Sequence, residues 1–146
     1  MDLGEVAEAI AAEASEDSGR DDRPNADPSV LAVCYLGLRL VPSRRRSACL
    51  IEDRVYYPAR ASDRDVAYFV AHECGHWLAR DAKSLLTEDE EEIVASRIGV
   101  ALMLPRRAFL RDVRNGARVT ADLVALWPLA TPRIVRRRLV ELDALA

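Results

Sequence analysis

The chain has 146 residues, half of them hydrophobic, and carries a net charge of -3 from 21 basic and 24 acidic side chains. That length and apolar fraction suit one compact domain with its own core. The mixed, slightly acidic balance argues against a general nucleic-acid or membrane-surface binder, and no apolar run approaches the roughly 20 residues that cross a bilayer. The first residues, MDLGEVAEAIAAEASED, are acidic and lack the basic start and apolar centre of a signal peptide, so a cytoplasmic location is expected. Cys34, Cys49 and Cys74 show no metal-type spacing and are expected to be small buried hydrophobes in a reducing compartment.

Leu3, Val6, Ala7, Ile10 and Ala14 keep helical spacing, which predicts an amphipathic helix over 3–15. The polar stretch from Ser15 to Asp27, SEDSGRDDRPNAD, reads as a loop. Asp27-Pro28 has the form of a helix start, an Asp cap followed by Pro at the first helical position, and Gly37 a plausible stop. Beyond Gly37 the texture changes. Leu38–Val41, Ala48–Ile51 and Val55–Tyr57 predict three short strands, the last two joined as a hairpin across Glu52-Asp53-Arg54. Arg44-Arg45-Arg46 falls between strands, where a solvated loop is the simplest reading.

Ser62-Asp63-Arg64-Asp65 has the form of a capping box with Asp in place of Glu, opening a helix that should run to about Arg80. A loop over Ala82–Thr87 leads to a second helix from about Glu88 to Met103, stopped by Pro105. Three shorter helices should start near Pro105, Thr120 and Thr131-Pro132. The expected organisation is a single domain, with an N-terminal helix and loop over 1–27, sheet and central helices over 28–104, and a C-terminal helical segment over 105–146.

The first central helix contains VAHECGHWL, Val70 to Leu78, with the only two histidines of the chain. Residues i and i+4 share a helix face with Cβ atoms about 5–6 Å apart, so the imidazoles of His72 and His76 can reach one cation. Glu73 lies about 100° round the helix, at the edge of that face. From there its carboxylate can take a proton from water on the metal without binding the metal itself. HExxH alone also arises by chance, and paired histidines on a helix are often only packed or solvated. The motif here uses every histidine available, on a helix apolar nearly all round.

A catalytic zinc takes three protein ligands and keeps one open position. With no third histidine, the remaining ligand must be Asp, Glu or Cys, and Glu88-Asp89-Glu90-Glu91-Glu92 opens the next helix. Acid-rich first turns are ordinary, because they complement the helix dipole. Glu92 alone heads a stripe of small residues, Ala95, Ser96 and Gly99, which would let this helix approach Ala71, Gly75 and Ala79 of the histidine helix. This spacing favours Glu92, with Glu91 in reserve.

HECGH, followed by Glu92-Ile93-Val94-Ala95-Ser96 and by Ala101-Leu102-Met103-Leu104-Pro105, resembles the ImmA/IrrE family of zinc metallopeptidases. Pro28 to Val41 resembles the family's helix and glycine turn ahead of its small sheet, and Thr131 to Leu139 resembles its C-terminal segment. Ser96 stands where asparagine is common, Ile98 where an aromatic is common, and LMLP replaces LLMP. The resemblance implies an α+β, mostly helical zincin-like fold, with a small three-stranded antiparallel sheet packed on the HExxH helix. It also implies one Zn2+ on His72, His76 and Glu92, with Glu73 as catalytic base.

The expected function is therefore a zinc-dependent endopeptidase, acting by Glu-assisted attack of metal-bound water. Its protein substrate, by resemblance to the family, is a helix-turn-helix repressor of the XRE type. Tyr56, Tyr57 and Tyr68 are candidates to stabilise the oxyanion, although each also suits core or sheet packing. Two other readings stay open. One is a non-catalytic antirepressor that binds the repressor and keeps its metal for structure. The other is a DNA-binding regulator using Arg133, Arg136, Arg137 and Arg138, which the net negative charge makes more readily a solvated helix face.

Overall fold

The computed structural model describes residues 2–20, 27–116 and 120–144. Helix α1 (Leu3–Asp17) begins where the Asp2 carboxylate accepts the Gly4 and Glu5 N–H groups at 2.8 and 3.1 Å. It runs two residues past the expected end, and the centre of the predicted loop, 21–26, lies outside the described residues. The Asp27-Pro28 start forms as expected. Asp27 Oδ1 accepts the Ser29 N–H at 2.9 Å, opening α2 (Pro28–Val30). The helix then widens into a π turn over Leu31–Tyr35 and ends at Gly37, whose φ of +70° is the left-handed conformation that favours glycine.

The strands are β1 (Arg39–Ser43), β2 (Cys49–Ile51) and β3 (Arg54–Pro58), in the order β1-β3-β2. The expected hairpin is present, with β2 and β3 antiparallel across Glu52-Asp53 and Glu52 at φ 56°. The expectation of a purely antiparallel sheet is overturned: β1 pairs with β3 in parallel, Leu40 opposite Val55 and Val41 opposite Tyr56, so the sheet is mixed. Two chain reversals separate β1 from β3, so placing them side by side makes them parallel. Composition explains why β3 takes the centre. Pro42 has no N–H and suits an edge, β2 is short, and Val55 of β3 is fully buried.

Helix α3 (Asp63–Leu78) packs beneath the sheet, against β2 and β3. The Ser62 half of its cap forms, with Oγ accepting the Asp65 N–H at 3.2 Å. Where a loop was expected, a 3-10 helix over Arg80–Leu85 links α3 to α4 (Glu88–Met103). A complete capping box that the sequence reading did not use, Thr87 with Glu90, starts α4.

Among the described elements, α3 and α4 share the most extensive contact, along the small-residue stripes. A Cβ added to Gly75 would enter the Ala95 carbonyl, and one added to Gly99 would lie 2.9 Å from the backbone nitrogen of His72. Two apolar clusters flank this helix pair. One gathers Ala7, Ala11, Leu31, Val55, Val70, Val94 and Ile98, and so joins α1 and the sheet to α3 and α4.

The second cluster brings α5 (Arg106–Arg114), α6 (Thr120–Leu126) and α7 (Pro132–Ala144) onto the other side, around Phe109, Trp127 and Val135. Trp127 Nε1–H donates to Asp112 at 2.9 Å, which satisfies the one polar atom of that buried ring. Arg138 of α7 is fully buried. It donates through both terminal nitrogens to Glu8 of α1 at 2.7 Å, and through Nε to the Leu104 carbonyl at 2.9 Å.

Candidate metal centre

His72 and His76 stand one turn apart on α3, with ring centroids 4.9 Å apart and the planes nearly perpendicular. Glu92, in the second turn of α4, faces both. Its Oε1 lies 2.7 Å from His72 Nε2 and its Oε2 lies 3.0 Å from His76 Nε2. Glu91 contacts the opposite side of the His76 ring, with Oε1 3.3 Å from Nδ1. The two neighbouring glutamates thus address different nitrogens, and only Glu92 bridges the two rings.

One potential ligand atom from each of His72, His76 and Glu92 lies within 4.8 Å of the others. A tetrahedral ion with bonds of about 2.0–2.1 Å separates its ligands by about 3.3 Å. The histidine-to-Glu92 distances of 2.7 and 3.0 Å, each to a different carboxylate oxygen, are both shorter than that value, so the three side chains converge on one small space. Burial lowers the pKa of His72, against the opposing pull of the Glu92 carboxylate. The neutral imidazole favoured in this way is the form that binds a cation. Its Nδ1 is buried without a hydrogen-bond partner among the described residues, so Nε2 is the ring's engaged nitrogen. These residues fit a metal ion.

Glu73 is 6 % exposed, on the side of α3 that meets β2. Burial raises its pKa, with the Glu92 carboxylate adding to the rise, while the neighbouring His76 and a backbone hydrogen bond from Leu50 act in the other direction. A carboxylate withdrawn from water beside a pair of imidazoles is suited to exchanging protons. Burial also pushes the neighbouring Cys74 thiol up to about 12, so it stays protonated and is a packing residue. The other cysteines depart from expectation: Cys34 is exposed and Cys49 half-buried, because each sits on an element with one open side.

The cleft over the site is walled by Ser47, Ala48 and Cys49 on the sheet side and by Tyr68 and Phe69 on α3. Of the three tyrosine candidates, Tyr68 alone lines it, with its ring centroid 6.2 Å from that of His72. Its hydroxyl lies 3.2 Å from Ser96 Oγ, which also accepts from Arg137 at 2.9 Å. Sequence reasoning missed this network, although Ser96 already stood out as the place where asparagine is common. It also missed Glu91 as a partner of His76 Nδ1. A metal-binding histidine is commonly oriented through its second nitrogen, and that rule, applied to the glutamate beside Glu92, is the signal that could have found it.

The C-terminal arginines do not form one basic face. Arg133 and Arg136 are exposed, Arg137 bonds Ser96 and Glu141, and Arg138 is buried on Glu8. A solvated stripe was the simple expectation for all four, and Arg138 departs from it because α1 supplies a carboxylate at the right depth.

An α+β fold whose paired central helices bring HExxH against a downstream glutamate has the arrangement of a metallopeptidase. Residues 32–134 match the family model described as the IrrE N-terminal-like domain, Peptidase_M78, and the chain belongs to that family. A search of curated proteins returned no match. Among the described residues, no helix is long and apolar enough to cross a membrane.

Proposed function

We propose that the protein is a zinc-dependent endopeptidase, with His72, His76 and Glu92 as metal ligands and Glu73 as the catalytic base. The observation that carries this reading is the Glu92 carboxylate held against both histidine Nε2 atoms, with a buried Glu73 beside them. Zinc in such a site activates water and polarises the scissile carbonyl. Glu73 receives the proton of the attacking water and delivers it to the departing amine, so that its own charge is restored at the end of the cycle. Glu91 orients His76 through Nδ1. Tyr68 lines the cleft and is the candidate donor to the oxyanion.

The peptide is proposed to lie along the free edge of β2. Among the described residues that strand pairs with β3 alone, and its first residue, Cys49, lies in the cleft wall. Main-chain pairing with an exposed sheet edge is a common way to hold an extended segment. The proposed substrate, an XRE-type helix-turn-helix repressor, rests on the family resemblance.

Glu73→Gln tests the chemistry. The variant is expected to retain zinc and to lose about 10²–10⁴-fold in the rate of repressor cleavage. Undiminished cleavage would remove Glu73 from the mechanism. Cleavage absent in both proteins, with repressor binding intact, would make the molecule an antirepressor.

A further inference from the structure

Beside the metal cleft lies a second depression, of about 510 Å³, between the start of α3 and the start of α7. Tyr68 lines both, so a single aromatic ring divides them. Three arginines line this second space, Arg64, Arg133 and Arg137, and Asp65 is the one acidic lining residue among the described residues. Glu141 pairs with Arg137 from behind at 2.7 Å. The surroundings therefore hold three positive charges against two negative ones, in a chain whose net charge is -3.

Two of the cations are held in place. Arg137 is fixed by Ser96 and Glu141, and Arg64 donates through Nε to the neutral Pro128 carbonyl at 2.9 Å. A guanidinium positioned before a ligand arrives loses less freedom on binding it, and its fork matches a carboxylate.

The spacing relates this space to the cleft. Tyr68 and His72 have ring centroids 6.2 Å apart. Side chains on one face of an extended peptide repeat about every 6.5–7 Å. A residue two positions along the chain from one seated against His72 would thus reach past Tyr68 into the arginine-lined space.

We infer that this depression is a specificity subsite for an acidic side chain of the substrate, aspartate or glutamate, close to the scissile bond. The inference rests on the peptidase reading of the adjoining cleft. Arg133 is the residue best placed to set the preference by its charge, because it is exposed and takes no part in the metal centre. Asp65 opposes the preference and limits its strength.

The test uses the full-length, zinc-loaded protein and a decapeptide library capped at both ends and randomised without cysteine. Cleavage products are sequenced for the wild type and for Arg133→Glu and Asp65→Asn. In parallel, peptides retained by immobilised, zinc-loaded Glu73→Gln are analysed with and without Arg133→Glu. The wild type is expected to enrich Asp and Glu about fivefold at one fixed position near the cut. Arg133→Glu should abolish that enrichment or turn it toward Lys and Arg, and Asp65→Asn should increase it. Both positions are exposed, and thermal melts confirm that the variants are folded.

Cleavage with no acidic preference, or with a preference indifferent to Arg133→Glu, overturns the subsite and leaves the peptidase reading intact. No cleavage, together with acidic peptides retained in an Arg133-dependent way, overturns the peptidase reading and leaves a carboxylate-binding site. Neither cleavage nor acidic retention overturns both.

Discussion

At the residue scale, the two adjacent glutamates of α4 make opposite predictions. Glu92 faces both Nε2 atoms, whereas Glu91 meets only His76 Nδ1. Glu92→Ala should therefore reduce bound zinc from one equivalent to a small fraction. Glu91→Ala should retain the metal with affinity lowered about 10–100-fold, the usual cost of removing a carboxylate that orients a ligand. Metal content after dialysis, with competition by a chelator, measures both. Retained zinc in the first variant and loss only in the second would exchange the two roles. The cysteines give a separate check on burial. Cys34 should react with a thiol reagent within minutes in the native protein, whereas Cys74, buried and held protonated, should react only after unfolding. Mass spectrometry of labelled peptides would show this order, and early labelling of Cys74 would contradict the packing around the site.

At the scale of elements, the metal centre depends on how closely α3 and α4 approach. Gly75→Ala drives a methyl group into the Ala95 carbonyl, a backbone atom that cannot move without its helix. The expected loss is about 1–3 kcal/mol of stability, the usual range for overpacking. It should be accompanied by weaker zinc binding, because Glu92 sits one turn before the contact. Urea denaturation and metal titration on the same variant test the coupling, and a change in stability alone would dissociate packing from ligand position. Much at this scale was legible in the sequence. Asp27-Pro28, Ser62 and Thr131-Pro132 each mark a helix start, and the alternation of small residues indicated which faces of α3 and α4 meet. The order of the strands was not legible, because pairing is non-local and strands of three to five residues carry little periodicity. Pro42 was the one local indication, since it places β1 at an edge, yet it does not say which partner that edge strand takes.

For the whole molecule, Arg138 and Glu8 join α7 to α1 across 130 positions of sequence. Removing one member of a buried ion pair leaves the other charged and without compensation. Glu8→Ala is therefore expected to cost about 3–5 kcal/mol, read from the midpoint of chemical denaturation. A loss below about 1 kcal/mol would show that water reaches Arg138 when Glu8 is absent. This contact was hidden in the sequence because Arg136-Arg137-Arg138 reads as one charged run, and only the third residue points into the core. The same contact sets an order of events during synthesis. Every proposed ligand of the metal has been translated by Glu92, while Arg138 follows 46 residues later (138 minus 92). Since chains emerge N-terminus first, α3 and α4 can meet and assemble their donor set while Glu8 still waits for its guanidinium. The proposed donor set can thus assemble on a nascent chain before α7 reaches α1, and the Arg138–Glu8 pair closes over a pair of helices that have already met.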